Sequence, residues 1–128
     1  MDNFPPGYGR FRPLFAEAID GRFHTVDHLD WMIRTGRAQF WRSAEAAIAI
    51  AIRDYPGCRA VHGLVAAGDL DEIRDILIPS AEAWGRSQGC AFAIVESRPG
   101  WQRTLRNNGY APHQIALCKP LHRTGPTG

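Results

Sequence analysis

Lysine is almost missing from this chain: Lys119 is the only one, and every other basic side chain is arginine, a bias that carries no functional weight by itself. Net charge is small as well. Fifteen basic against 13 acidic residues leave +2, too little for the basic footprint of a nucleic-acid-binding domain. Cysteine is scarce and odd in number: Cys58, Cys90 and Cys118 lie far apart, which yields neither a disulfide framework nor a CxxC zinc pair. Each sits in or beside an apolar, strand-like run, where a free cysteine behaves as a small hydrophobe, and reduced thiols fit a cytoplasmic setting. No stretch approaches the ~18 uninterrupted apolar residues of a membrane span. The opening Met1-Asp2-Asn3-Phe4-Pro5-Pro6 lacks the basic start and apolar core of a signal peptide. Internal repeats and low-complexity linkers are missing too. The expectation is a cytoplasmic domain with neither a membrane nor a nucleic acid as partner.

What is present suits a globular fold. Hydrophobic residues make up 45% and charged residues 22% of 128, which excludes a disordered or fibrous chain. Residues 1–13, rich in proline, glycine and arginine, read as an N-terminal arm able to dock a partner or cover the domain. Leu14 to Ala18 begins a short helix that ends before Gly21. Thr25 is a helix cap for Val26, Leu29, Met32 and Ile33, and Gly36 stops that helix. Arg37 to Ala44 suits a strand. Ala47 to Ile52 alternates strictly, isoleucine on one face and alanine on the other, the small face admitting close packing. Asp54-Tyr55-Pro56-Gly57 is a turn, and Arg59 to Val65 completes a hairpin.

Asp69 opens the best-marked helix, with Glu72 three residues on at capping-box spacing. Ile73, Ile76, Leu77, Ala81 and Trp84 follow at helical spacing, Pro79 predicts a kink, and Gly89 is the stop. Ala91 to Val95 reads as a short strand buried on both faces. Pro99 and Gly109 bracket a helix through Trp101 and Leu105, and Tyr110 to Leu121 has strand character around Ile115, Ala116 and Leu117. The order helix, helix, three strands, helix, strand, helix, strand predicts an α/β (α+β) fold, a mixed, mostly antiparallel twisted sheet with helices on both faces. A single domain is expected over 14–121, with a tail at 122–128.

From about Arg37 to Leu121 this order resembles the GCN5-related N-acetyltransferase fold. Ala60-Val61-His62-Gly63-Leu64-Val65 looks like that family's fourth strand, which leads into its cofactor-binding helix, and Leu105-Arg106-Asn107-Asn108-Gly109-Tyr110 resembles its late helix-to-strand junction. The segments 82–90 and 96–101 look more specifically like small acetyltransferase-like proteins of phages and prophages.

The resemblance implies acetyl-CoA as co-substrate and a primary amine as acceptor, with no metal. It places the acyl carbonyl at about Val65 and Ala66, and the pyrophosphate on the amides of Ala67, Gly68, Asp69 and Leu70, where a helix opening suits an anion. The family's Gln/Arg-x-x-Gly-x-Gly/Ala loop is matched only at Gly68. Asp69, Asp71 and Glu72 bring carboxylates to the same place, and two like charges ~5 Å apart repel by roughly 3 kcal/mol at an effective dielectric of ~20, before screening. Leu105 stands where many members carry a tyrosine acid, and Tyr110 stands at their phenylalanine, a packing position.

Amine acylation needs a base to remove the ammonium proton. Glu96, ending the family's fifth strand near its divergence from the fourth, is the first candidate, and His62 is the second. The structural alternatives are a strand-end carboxylate paired with Arg98 or Arg59, and a half-buried, hydrogen-bonded histidine. His24 and His28, four apart, lack a third ligand and read as solvated. Trp101 fills core volume or stacks on a ligand. The resemblance therefore implies an N-acetyltransferase. The acidic loop and Leu105 point instead to a catalytically inactive relative, a phage accessory or virion component that works through contact with a protein partner.

Overall fold

The computed structural model describes residues 3–96 and 100–122 and divides the chain into two compact units, residues 1–97 and 98–128.

Three aromatic side chains decide the start of the first unit. Tyr8, Phe11 and Phe15 recur at helical spacing on α1 (Tyr8–Ala18) and are fully buried. The arm expected over 1–13 is thus corrected: from Tyr8 onward the chain is helix, because burying three rings outweighs the helix-breaking Pro13. The buried Tyr8 hydroxyl donates to Asp30 Oδ1 at 2.6 Å, and Arg12 pairs with the same carboxylate at 2.7 Å. Asp30 lies on α2 (Val26–Arg34), whose N-terminus is capped as expected by Thr25, its Oγ1 accepting the His28 N–H at 3.1 Å.

The sheet runs in the order β1 (Gln39–Arg42), β2 (Ala46–Asp54), β3 (Arg59–Gly68), β4 (Phe92–Val95). The first three strands are antiparallel, and β3 and β4 are parallel. The alternation of β2 separates two layers. Ala47 and Ala49 admit the rings of α1 together with Phe40, whose ring meets Tyr8 edge-on at 5.3 Å. The opposite face receives the helix that follows β3. There Gly85 lies so close to Val61 that a Cβ would stand 2.7 Å from Val61 Cγ1.

That helix begins as α3 (Leu70–Glu72), passes through a π-helical stretch (Ile73–Leu77) and continues as α4 (Ile78–Ser87). The kink expected at Pro79 is this π-helical stretch. Pro79 has no N–H for the Asp75 carbonyl, and the Ile78 N–H reaches back five residues to Ile73. The wider turn rotates Ile76 outward, so Ile73, Leu77, Ile78 and Ala81 make the buried face without it. Residues 91–95, expected to be buried on both faces, form instead the edge strand β4, with Phe92 63% exposed, since only β3 flanks it among the described residues.

The second unit holds α5 (Gly100–Leu105) and a 3-10 turn (Arg106–Asn108), closed by Gly109 at φ +89. Pro99, the expected helix start, lies outside the described residues. The strand expected around Ile115 to Leu117 does not form: residues 110–122 carry no helix or strand, and Ile115 and Leu117 are 85% and 93% exposed. Apolar alternation makes a strand only where a ladder satisfies its backbone. The mixed α/β class stands, without that closing strand among the described residues.

Candidate functional site

The candidate residues converge on β3, whose two ends differ. From Ala60 to Gly63 the strand is paired on both sides, with β2 and with β4. The register with β4 ends at Gly63 opposite Val95, while β3 runs on to Gly68 beside β2 alone among the described residues. A bulge accompanies the change: Ala49 faces Val65 and Ile50 faces Gly63, so Leu64 is the extra residue. Bulges of this kind bend a strand and re-aim the residues beyond them. The parallel pairing therefore ends at Gly63 and Val95, and Glu96 is the first residue past the last pair.

Glu96 and His62 are brought together there. Glu96 Oε1 stands 4.0 Å from His62 Nδ1 and 3.9 Å from Arg53 Nη1, with the carboxylate 74% exposed and the imidazole 3% exposed. Both separations exceed hydrogen-bond length, so the coupling is electrostatic. Burial, with a smaller push from Arg53, lowers the His62 pKa against a smaller opposing pull from Glu96. The ring is then neutral at pH 7. Its Nε2 is hydrogen-bonded to the Tyr55 hydroxyl at 2.8 Å. We assign the proton to Nδ1, because the Glu96 carboxylate favours an N–H on its side, and Nε2 then accepts from Tyr55.

Tyr55 and Arg53 are the residues that sequence reasoning missed. The signal was present in the hairpin register: Asp54 opposite Arg59 folds the turn so that Tyr55, seven positions before His62, reaches back over the strand. Among the described residues, the guanidinium beside Glu96 is that of Arg53, while Arg59 pairs with Asp54 at 2.6 Å. Arg98 lies outside the described residues.

Val65 and Ala66 occupy the far end of β3, beyond the last β4 pair. Val65 sits opposite Ala49 and packs on the aromatic core, whereas Ala66 sits opposite Ile48. Ala67 is opposite Ala47, and Gly68, at φ +105, is opposite Ala46. A Cβ on Gly68 would clash with the Glu45 carbonyl and stand 2.7 Å from Ala46 Cα. Gly68 is thus required by the close approach of the β1–β2 turn.

The next polar groups are already matched among themselves. The Asp69 N–H donates to the Glu45 carbonyl at 2.9 Å, and the Asp69 carboxylate caps the Glu72 N–H at 3.0 Å. The Glu72 carboxylate accepts the Glu45 N–H at 2.9 Å, and Asp71 pairs with Arg74 at 3.0 Å. Leu70 opens the helix and is exposed. A separate depression of about 440 Å³, lined by Gly36, Arg37, Gln39, Ala51, Ile52 and Trp84, offers no carboxylate or imidazole for proton transfer.

No family model and no curated protein matches the chain. Solved structures do. An aminoglycoside 6'-N-acetyltransferase from Acinetobacter haemolyticus superimposes with a TM-score of 0.65 at 14% identity, covering 92% of this chain and 94% of its own. A glucosamine-6-phosphate N-acetyltransferase from Arabidopsis thaliana gives 0.62 at 14%, covering 88% and 89%. A GCN5-related N-acetyltransferase from Ralstonia eutropha gives 0.62 at 20%, covering 75% and 72%. The fold is that of the GCN5-related N-acetyltransferases. Among the described residues no helix is long and apolar enough to cross a membrane, and no group of three or more potential ligands could hold a metal ion.

Proposed function

We propose that this chain is an N-acyltransferase that moves an acetyl group from a thioester to a primary amine. One observation carries the reading: an exposed carboxylate, Glu96, follows the last pair of the parallel strands, 4.0 Å from the buried imidazole of His62. An exposed carboxylate at such a strand end can take the proton of a substrate ammonium directly or through one water, which leaves the lone pair that attacks the acyl carbon. His62 is a positioning residue: its Nδ1–H faces the carboxylate while Tyr55 holds the far side of the ring. The β3 backbone at Val65 and Ala66, past the reach of β4, is the place for the acyl carbonyl. Acyl transfer then forms the amide C–N bond and releases a thiol.

Acetyl-CoA is the donor that this fold implies, and its diphosphate is the test of fit. The residues at the helix opening do not fit it. The Asp69 amide is committed to Glu45, the Glu72 amide to Asp69, and carboxylates surround both.

The matched polar groups at the opening favour a second reading, a non-catalytic protein that acts by contact with another protein, as in a phage accessory factor. Mass-spectrometric assay of a panel of primary amines with an acetyl thioester separates the two. Acetylated product that disappears in Glu96→Gln supports the enzyme; no product from any amine, with a folded protein, supports the contact role.

A further inference from the structure

Resting on the acyl-transfer reading, we propose that the opening of the helix at residues 69–72 selects against a nucleotide diphosphate, so that the cleft takes a small, nucleotide-free acyl thioester of the pantetheine class at least as well as acetyl-CoA. Three independent features of the opening lead there. First, two of its four amides are used, Asp69 N–H by the Glu45 carbonyl and Glu72 N–H by the Asp69 carboxylate, which leaves those of Leu70 and Asp71, flanked by the Asp69, Asp71 and Glu72 side chains. Second, the space beside Gly68 is filled by the Glu45–Ala46 backbone, so this glycine leaves no cradle for a ligand. Third, Asp69 and Glu72 meet Glu45 and Asp71 follows on the same turn; of the guanidiniums nearby, Arg74 is held by Asp71 and Asp75 and Arg10 by Glu45, while Arg42 is held by the Ser43 and Ala44 carbonyls. A diphosphate on the remaining amides would have to sit among the carboxylates of Asp69, Asp71 and Glu72.

None of this touches the acyl end. There β3 continues past the last β4 pair, and an extended amide-bearing arm can lie along such a strand edge. The thioester and its arm thus meet a usable surface, and the nucleotide meets a repulsive one.

The experiment is an amide-resolved NMR titration of the whole chain with acetyl-CoA and, separately, with S-acetylpantetheine. The triple variant Asp69→Asn, Asp71→Asn, Glu72→Gln runs alongside. It removes three charges while each side chain still accepts its hydrogen bond. For the wild type, acetyl-CoA is expected to bind no more tightly than S-acetylpantetheine, with shifts centred on residues 64–67. In the variant, acetyl-CoA should tighten by about tenfold while S-acetylpantetheine changes by less than about twofold. If the triple variant melts early, the single exposed change Asp71→Asn should move acetyl-CoA alone by roughly threefold. Wild-type acetyl-CoA binding about tenfold tighter than S-acetylpantetheine, or variants that leave the ratio unchanged, overturns the selection against nucleotide. Binding of neither thioester overturns the acyl-transfer reading itself.

Discussion

The two ends of β3 are built from similar residues and end up with different chemistry. Over Ala60 to Gly63 the strand lies between two neighbours and buries a titratable ring, His62. Over Leu64 to Gly68 it has, among the described residues, β2 on one side only, begins with a bulge and finishes on a left-handed glycine wedged against the β1–β2 turn. Apolarity alone does not separate them, since Ala60-Val61 and Val65-Ala66 are almost interchangeable. The difference comes from how far β4 extends. The first described side chain past the last β4 pair, Glu96, turns its carboxylate to His62 and Arg53 on the paired part of the sheet.

The comparison breaks most visibly at Glu96. Replacing it with Gln is expected to lower acetyl transfer by about 10²–10⁴-fold. Because the side chain is 74% exposed, the thermal midpoint should scarcely move; a large fall in midpoint would make Glu96 a structural residue. At the other end, Gly68→Ala should destabilise the fold by about 2–3 kcal/mol in urea unfolding, since the new methyl meets Glu45 and Ala46 at a backbone angle disfavoured for alanine. Smaller is the loss of the helix cap: Asp69→Ala should cost about 1 kcal/mol and Asp69→Asn a fraction of that. Recovery with Asn would separate capping from charge.

The subtlest change is in pH dependence. The His62 pKa is lowered in the fold mainly by burial, so the unfolded chain takes up the proton first as pH falls. The contribution is fully present above the ordinary histidine value of 6.5 and is lost as pH drops through the lower folded value. Urea unfolding between pH 7.5 and 5 should therefore show a loss that His62→Asn reduces. An unchanged profile in that variant would show that His62 titrates alike in both states.

Much of this architecture was legible in the residues. Thr25 and Asp69 cap helices because short oxygen-bearing side chains reach the orphan amides of a first turn. The Ile/Ala alternation of β2 divides an aromatic layer from a helix layer because strand side chains alternate faces. Glu96 and His62 could be singled out, and the structure places them 4.0 Å apart. Other features were hidden. The spacing of Tyr8, Phe11 and Phe15 was masked by flanking glycine and proline, and only the Phe40 and alanine surface beneath explains why that segment is helical. Tyr55 looked like an ordinary turn residue until the hairpin register brought its hydroxyl to His62.

The sequence by itself determined the local decisions: helix starts, the turn at 54–57, the two faces of β2 and the carboxylates gathered at 69–72. Each depends on interactions within a few residues, which spacing and side-chain type settle. The tertiary structure alone decided where β3 loses its neighbour, that Gly68 serves the β1–β2 turn, and that the Glu72 carboxylate takes the Glu45 amide. Such contacts join residues far apart in the chain, as Glu45 and Glu72 are. Their strength depends on distance and competing partners, which no local pattern records.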